Sequence, residues 1–168
     1  MPLSMYDASA PVFTQGLKGL RKALTKAAEH VEQRKIDPDA LLQARLYPDM
    51  FPFKRQVQIA TDFAKGAVAR LAGVEPPPYD DLETSFAELV ARIDATLALL
   101  ATFDASQIEG SEDRDITLTR RGETSVVKGQ SYLLLQAMPN FYFHLTTAYA
   151  ILRHNGVELG KKDYLATS

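Results

Sequence analysis

Along four stretches of the chain, apolar side chains recur at alternating steps of four and three. That is the spacing of a helix seam packed against other helices. The first stretch runs Phe13, Leu17, Leu20, Leu24, Ala27 and Val31, with Lys18, Arg21, Lys22, Lys26 and Glu29 on the remaining circumference. It is expected to begin near Ser9, with Pro11 in a first turn where a missing N–H costs nothing. The second runs Phe53, Val57, Ala60, Ala64, Ala67 and Leu71, flanked by Ile59, Phe63 and Val68, and stops at Gly73. Its alanines predict a closely approaching neighbour or a cavity left open beside it. The third, Leu82, Phe86, Leu89, Ile93, Thr96, Leu100 and Phe103, is expected to be capped by Asp80 or Asp81. The fourth lies within Gly129–Gly156, with Leu134, Met138, Phe141, Leu145, Ala148 and Leu152 as its seam. Leu133 and Ile151 stand about 100° to one side of it and Tyr142 about 60° to the other. Such an apolar circumference predicts a central helix, or one that also serves a subunit interface. Pro139 cannot donate to the Leu135 carbonyl, and it is expected to kink this helix or draw a water or side chain into the gap.

The segments between are equally readable. Asp37-Pro38 starts a short helical turn through Gln43, and LYPDMFPF then approaches the second long helix irregularly. VEPPPYDD, residues 74–81, is a stiff, extended connection. Between Ser111 and Lys128 the period changes to alternation. Ile116–Thr119 and Thr124–Val127 flank Arg120, Arg121, Gly122 and Glu123, which predicts a β-hairpin closed around Gly122. A lone hairpin is barely stable, so it must lie on the bundle or pair with another copy. Its basic residues, Arg114, Arg120, Arg121 and Lys128, read as a solvated face rather than an anion site. In the tail a turn at Gly160 precedes Tyr164 and Leu165, expected anchors back onto the surface. The fold class is all-α: one four-helix-bundle domain over residues 1–168, with a small hairpin between the third and fourth helices. The long first connection fits a crossed topology more easily than a simple up-and-down one.

Composition removes several classes of function. The chain has 168 residues, 46% hydrophobic and 24% charged, with a formal net charge of −2. It therefore offers no general basic face for nucleic acid. With no cysteine, disulfides, thiolate metal sites and a cysteine nucleophile are excluded. MPLSMYDASAP lacks a basic segment followed by an apolar core, and no apolar run approaches the roughly 18 residues of a membrane span. A soluble, cytoplasmic protein is expected. Neither a glycine-rich phosphate loop nor a nucleophile elbow is present.

PNFYFH at 139–144, AYAILRHNG at 148–156 and LGKKDYL at 159–165 carry a family resemblance, together with PDMFPF at 48–53 and the LAGVEPPPYDD loop. They resemble a bacterial family of unknown function grouped with the DinB/YfiT-like four-helix bundles. The resemblance implies the bundle fold and a homodimer. Many proteins of that superfamily bind a divalent metal through three histidines, one on the second helix and two placed four apart on the last. Some of them are thiol-dependent transferases. Here His144 resembles the first histidine of the last-helix pair, but the residue four on is Ala148. The second helix has no histidine; its polar candidates are Gln56, Gln58 and Asp62. His144 and His154 would lie about 15 Å apart along a straight helix and about 80° apart in direction. They cannot both reach one ion at a ligand distance of about 2.1 Å.

Two readings of function follow, with a third that is purely structural. The first is a dimer without a metal cofactor, holding a small ligand beside the Pro139 kink. Its pocket candidates are His144, Asn140, Tyr142, Tyr149 and Asp62. The alternative is a metal-dependent enzyme, a thiol-dependent transferase or hydrolase with a non-standard site around His144, whose missing ligands could come from a second subunit across a two-fold axis. In the third, these aromatics are core and the last helix and hairpin are only a dimer interface.

Overall fold

The computed structural model describes residues 4–167. The expected absence of an N-terminal targeting segment rests in part on residues 1–3, outside that range. Four long helices form the bundle: α1 (Ala10–Arg34), α3 (Phe53–Leu71), α4 (Phe86–Leu100) and α7 (Met138–His154). Short helices α2 (Pro38–Leu42), α5 (Ala105–Ile108), α6 (Gly129–Tyr132) and α8 (Lys161–Tyr164) punctuate the connections. Strands β1 (Asp115–Arg120) and β2 (Glu123–Lys128) pair as an antiparallel hairpin. Around the bundle, α1 packs on α4 and α7, and α3 packs on the same two. Consecutive members α1 and α3 thus stand diagonally, so the first long connection crosses the bundle end. Among the described residues no helix is long and apolar enough to cross a membrane.

The local signals explain most boundaries. Asp37 accepts the Asp39 N–H at 3.0 Å and caps α2, with Pro38 at its first position. In the hairpin, Arg121 and Gly122 have φ of 51° and 82°, the doubly left-handed geometry of a tight hairpin turn. Ile116 and Leu118 alternate inward on β1, so the hairpin lies against the bundle. Ala60, Ala64 and Ala67 are fully buried where α3 meets its neighbours, so the alanines mark close helix approach.

Two expectations are corrected. Helix α4 begins at Ser85, not at Asp80 or Asp81. Ser85 Oγ accepts the Glu88 N–H at 3.2 Å, and Glu88 returns a carboxylate to the Ser85 N–H at 3.1 Å, a reciprocal capping box. Leu82, assigned to the seam, is 77% exposed. Asp81 cannot serve as cap because it pairs with Arg55 and Arg92. The second correction concerns the last helix. Around Pro139 the Asn140 side chain turns back to the Gln136 carbonyl, and the helix is not a plain α-helix. Leu133–Ala137 instead form a π-helical turn, in which the Met138 N–H reaches five residues back to the Leu133 carbonyl. The wider turn absorbs one extra residue and rotates everything upstream of Pro139. Tyr132, Leu133 and Ala137 face the core, while Leu134 and Leu135 face solvent, Leu135 at 74% exposure.

The proline-rich connector is held by a buried guanidinium. Arg92 on α4 is 5% exposed. It donates to Thr61 Oγ1 at 2.7 Å, Glu83 Oε1 at 2.9 Å, Asp62 Oδ1 at 2.9 Å and the Asp80 carbonyl at 3.1 Å. Burial alone would raise the Glu83 carboxyl, but hydrogen bonds from Arg92 and Gln58 outweigh it and hold it below its ordinary value. Tyr79 lays its ring under Lys65 Nζ at 3.7 Å, with Arg92 Cζ 5.1 Å from the same ring. At the other end, α8 docks on α1 through Asp163. Its buried carboxylate meets Lys22 and Lys26 at 3.2 and 3.0 Å and accepts the Gly160 N–H at 2.9 Å. Tyr164 anchors the tail as expected, bonding Thr146 at 2.9 Å, whereas Leu165 contributes its carbonyl, to Gln15, rather than its exposed side chain.

Replacing Arg92 with alanine removes a buried cationic partner from Asp62, Asp81 and Glu83 and the guanidinium donor to the Thr61 hydroxyl. Chemical denaturation should show a loss of about 3 kcal/mol or more, against less than half of that for Arg21→Ala at the exposed pair with Asp94. Burial would raise the Asp163 carboxyl, but the Gly160 N–H and the two lysines prevail and hold it down to about 2. A carboxyl depressed on folding stabilises above its ordinary value and loses that contribution as pH falls through about 2. Asp163→Asn should therefore cost about 1–2 kcal/mol at neutral pH and remove this part of the acid limb, measured by urea midpoints across pH.

Candidate functional site

His144 projects from α7 one turn beyond Pro139 and is 9% exposed. The π turn leaves it on the same buried arc as Phe141, Leu145 and Ala148. Its ring stacks on Phe63 of α3, centroids 6.0 Å apart and planes 14° apart, and meets Phe143 edge-on at 5.2 Å. Its Nδ1 lies 2.7 Å from Oε1 of Gln56, itself buried on α3. The Gln56 amide nitrogen donates to the Phe51 carbonyl at 2.9 Å, an atom that can only accept. The amide orientation is thereby fixed, and Oε1 must receive a proton from Nδ1. His144 is held as the Nδ1–H tautomer, with the Nε2 lone pair left as an acceptor. Burial first, and the Arg55 charge second, push the imidazole down to about 4, so it is neutral near pH 7.

The other expected pocket residues do not converge on this ring. Asn140 turns back along its helix and donates to the Gln136 carbonyl at 2.7 Å, helping to satisfy the backbone around the π turn. Tyr142 is partly exposed against Phe141, and burial followed by the nearby Tyr164 raises its hydroxyl pKa. Tyr149 meets Tyr164 edge-on at 5.8 Å and belongs to the α8 docking face. Asp62 is taken by Arg92 and Lys65. Sequence reasoning passed over Gln56 as a partner of His144, although a lone polar residue on an apolar helix arc was a signal, and passed over Arg92 entirely.

A three-histidine metal site does not fit these residues. The position one turn beyond His144 is Ala148, fully buried, and α3 presents the Gln56 amide to Nδ1 where a metal ligand would be needed. Among the described residues no three His, Cys, Asp or Glu side chains are grouped to hold an ion. The arrangement leaves Nε2 as a hydrogen-bond acceptor on a ring packed between Phe63 and Phe143.

A family model described as a domain of unknown function, DUF1993, matches residues 5–165. The fold is also that of a solved protein from Shewanella denitrificans described as a DinB family member. The two share 43% identity and a TM-score of 0.88, over 97% of this chain and 92% of that one. No curated protein matches the chain.

The His144 environment makes stability pH-dependent. With the folded value near 4 and the ordinary value at 6.5, the unfolded chain takes up a proton that the folded one refuses. This stability term is intact above 6.5, declines as pH falls towards about 4 and is level below. The loss is about 2 kcal/mol, and His144→Phe, which keeps the stack on Phe63, should flatten that part of the profile in urea titrations.

Proposed function

We propose that this chain, which belongs to the DUF1993 family and shares the DinB-type bundle, is a binding module rather than a metal-dependent transferase. One observation carries the reading: the Gln56–His144 hydrogen bond at 2.7 Å. It spends Nδ1 on a protein amide and leaves a neutral Nε2 as acceptor, framed by Phe63 and Phe143. Such a group suits a small, largely apolar ligand that donates one N–H or O–H. Nothing in the arrangement activates a water or a nucleophile: the imidazole is too weakly basic at neutral pH, and no carboxylate orients it.

The same helix supports self-association. Leu135 and Phe143 are 74% and 55% exposed, and Leu134 and Tyr142 are also open. Exposed large apolar groups on the solvent side of a bundle helix favour a covering partner. We assign that role to a second copy, in keeping with a two-fold dimer of a small bacterial cytoplasmic protein.

Light scattering on the untagged protein should give a dimer at micromolar concentration, and Leu135→Glu with Phe143→Glu should give a folded monomer. Elemental mass spectrometry of protein prepared without chelator should find transition metal well below one per chain. A stoichiometric metal lost in His144→Ala would overturn the binding-module reading in favour of an enzyme.

A further inference from the structure

Two arginines that form no salt bridge among the described residues border one cleft. Arg70, in the last turn of α3, donates to the Tyr132 hydroxyl at 3.1 Å, its guanidinium carbon 6.0 Å from that ring. Arg120, at the end of β1, reaches Gln136 Oε1 only at 3.4 Å. By contrast, Arg92, Arg55, Arg21 and Lys128 each meet a carboxylate, and Arg114 donates to the Leu71 carbonyl at 2.7 Å. Arg70 and Arg120 instead border a cleft of about 210 Å³ between α3, the hairpin and α6. Phe63, Leu118 and Tyr132 give it apolar walls, and Asp62 closes one side.

We propose that this cleft binds a small amphipathic carboxylate, its head on the two guanidiniums and its body against Phe63, Leu118 and Tyr132. A guanidinium offers paired N–H groups in the plane of a carboxylate, and two of them beside apolar walls select an acid over a neutral isostere. Asp62 disfavours a doubly charged group such as a phosphate monoester, because a second negative charge would face its carboxylate. The volume is below that of a typical drug-sized pocket, which limits the body to a single ring or short chain. The site is separate from Nε2 of His144 and stands or falls independently of it, although Phe63 borders both.

Arg70 depends on a glycine. A Cβ built at Gly66 would lie 2.5 Å from Arg70 Nη1, so the guanidinium rests on bare helix backbone. Gly66→Ala must displace the end of Arg70 while improving helix propensity. The test is an amide-resonance titration of the full chain with benzoate, benzyl alcohol and inorganic phosphate. Benzoate should give saturable shifts at residues 118–120 and 132, with affinity on the order of tenfold above benzyl alcohol. Arg70→Met and Arg120→Gln should each weaken benzoate by about tenfold. Gly66→Ala should weaken it while raising the thermal midpoint, which separates lost ligand geometry from lost fold. No saturable shift, equal binding of acid and alcohol, unchanged affinity in Gly66→Ala and Arg70→Met, or tighter binding of phosphate would each overturn the proposal.

Discussion

A proline inside a buried helix removes one N–H and pushes against the carbonyl four residues earlier, and this chain resolves that conflict at Pro139 by widening the helix. The Met138 N–H bonds five residues back, Asn140 covers the Gln136 carbonyl, and the Leu133–Ala137 turn takes in an extra residue. Upstream and downstream halves of the last helix consequently bury different arcs. Downstream, His144 falls on the core side against Gln56 and Phe63; upstream, Tyr132 falls beneath Arg70 while Leu134 and Leu135 turn outwards. The buried setting of His144, the apolar outer face and one wall of the arginine cleft all depend on this local accommodation.

Arg92 is the electrostatic counterpart. A guanidinium taken this far from water is favourable only when its donors are nearly all used, and here they tie α3 and the connector to α4 at once. VEPPPYDD has little apolar surface of its own to bury. It is fixed by the Asp80 carbonyl and the Asp81 carboxylate, which meet Arg92, and by the Tyr79 ring, which lies against Arg92 and Lys65; Glu83 just beyond it also pairs with Arg92. Asp62 is drawn into the same cluster, which is why it is not a partner for His144.

The bundle is shared with a DinB family member, but the interior chemistry differs from a metal triad. Ala148 is an intimate packing position, and the Gln56 amide supplies what His144 Nδ1 requires. Once one nitrogen is committed and the ring is desolvated, the imidazole becomes a neutral acceptor. Such a group is suited to accept a hydrogen bond, which is the basis of the binding role proposed for it.

Much of the fold was legible in the residues alone because its signals are local. The four-three seams, Asp37-Pro38 and the turn at Gly122 each depend on neighbours within a turn or two. The mismatch at Ala148 could also be read directly. Less local features could not. The Ser85–Glu88 box was available in the sequence, but Asp80 and Asp81 looked equally good as caps until Arg92 was seen to claim Asp81. A strict helical period also assumes an uninterrupted helix, so it carried Leu134 into the core past a turn that resets the phase. Which nitrogen of His144 bears the proton, which carboxylates Arg92 gathers, and that Arg70 and Arg120 border one cleft depend on contacts between residues 9 to 88 positions apart. Those contacts exist only once the helices have packed, and only tertiary structure decides them.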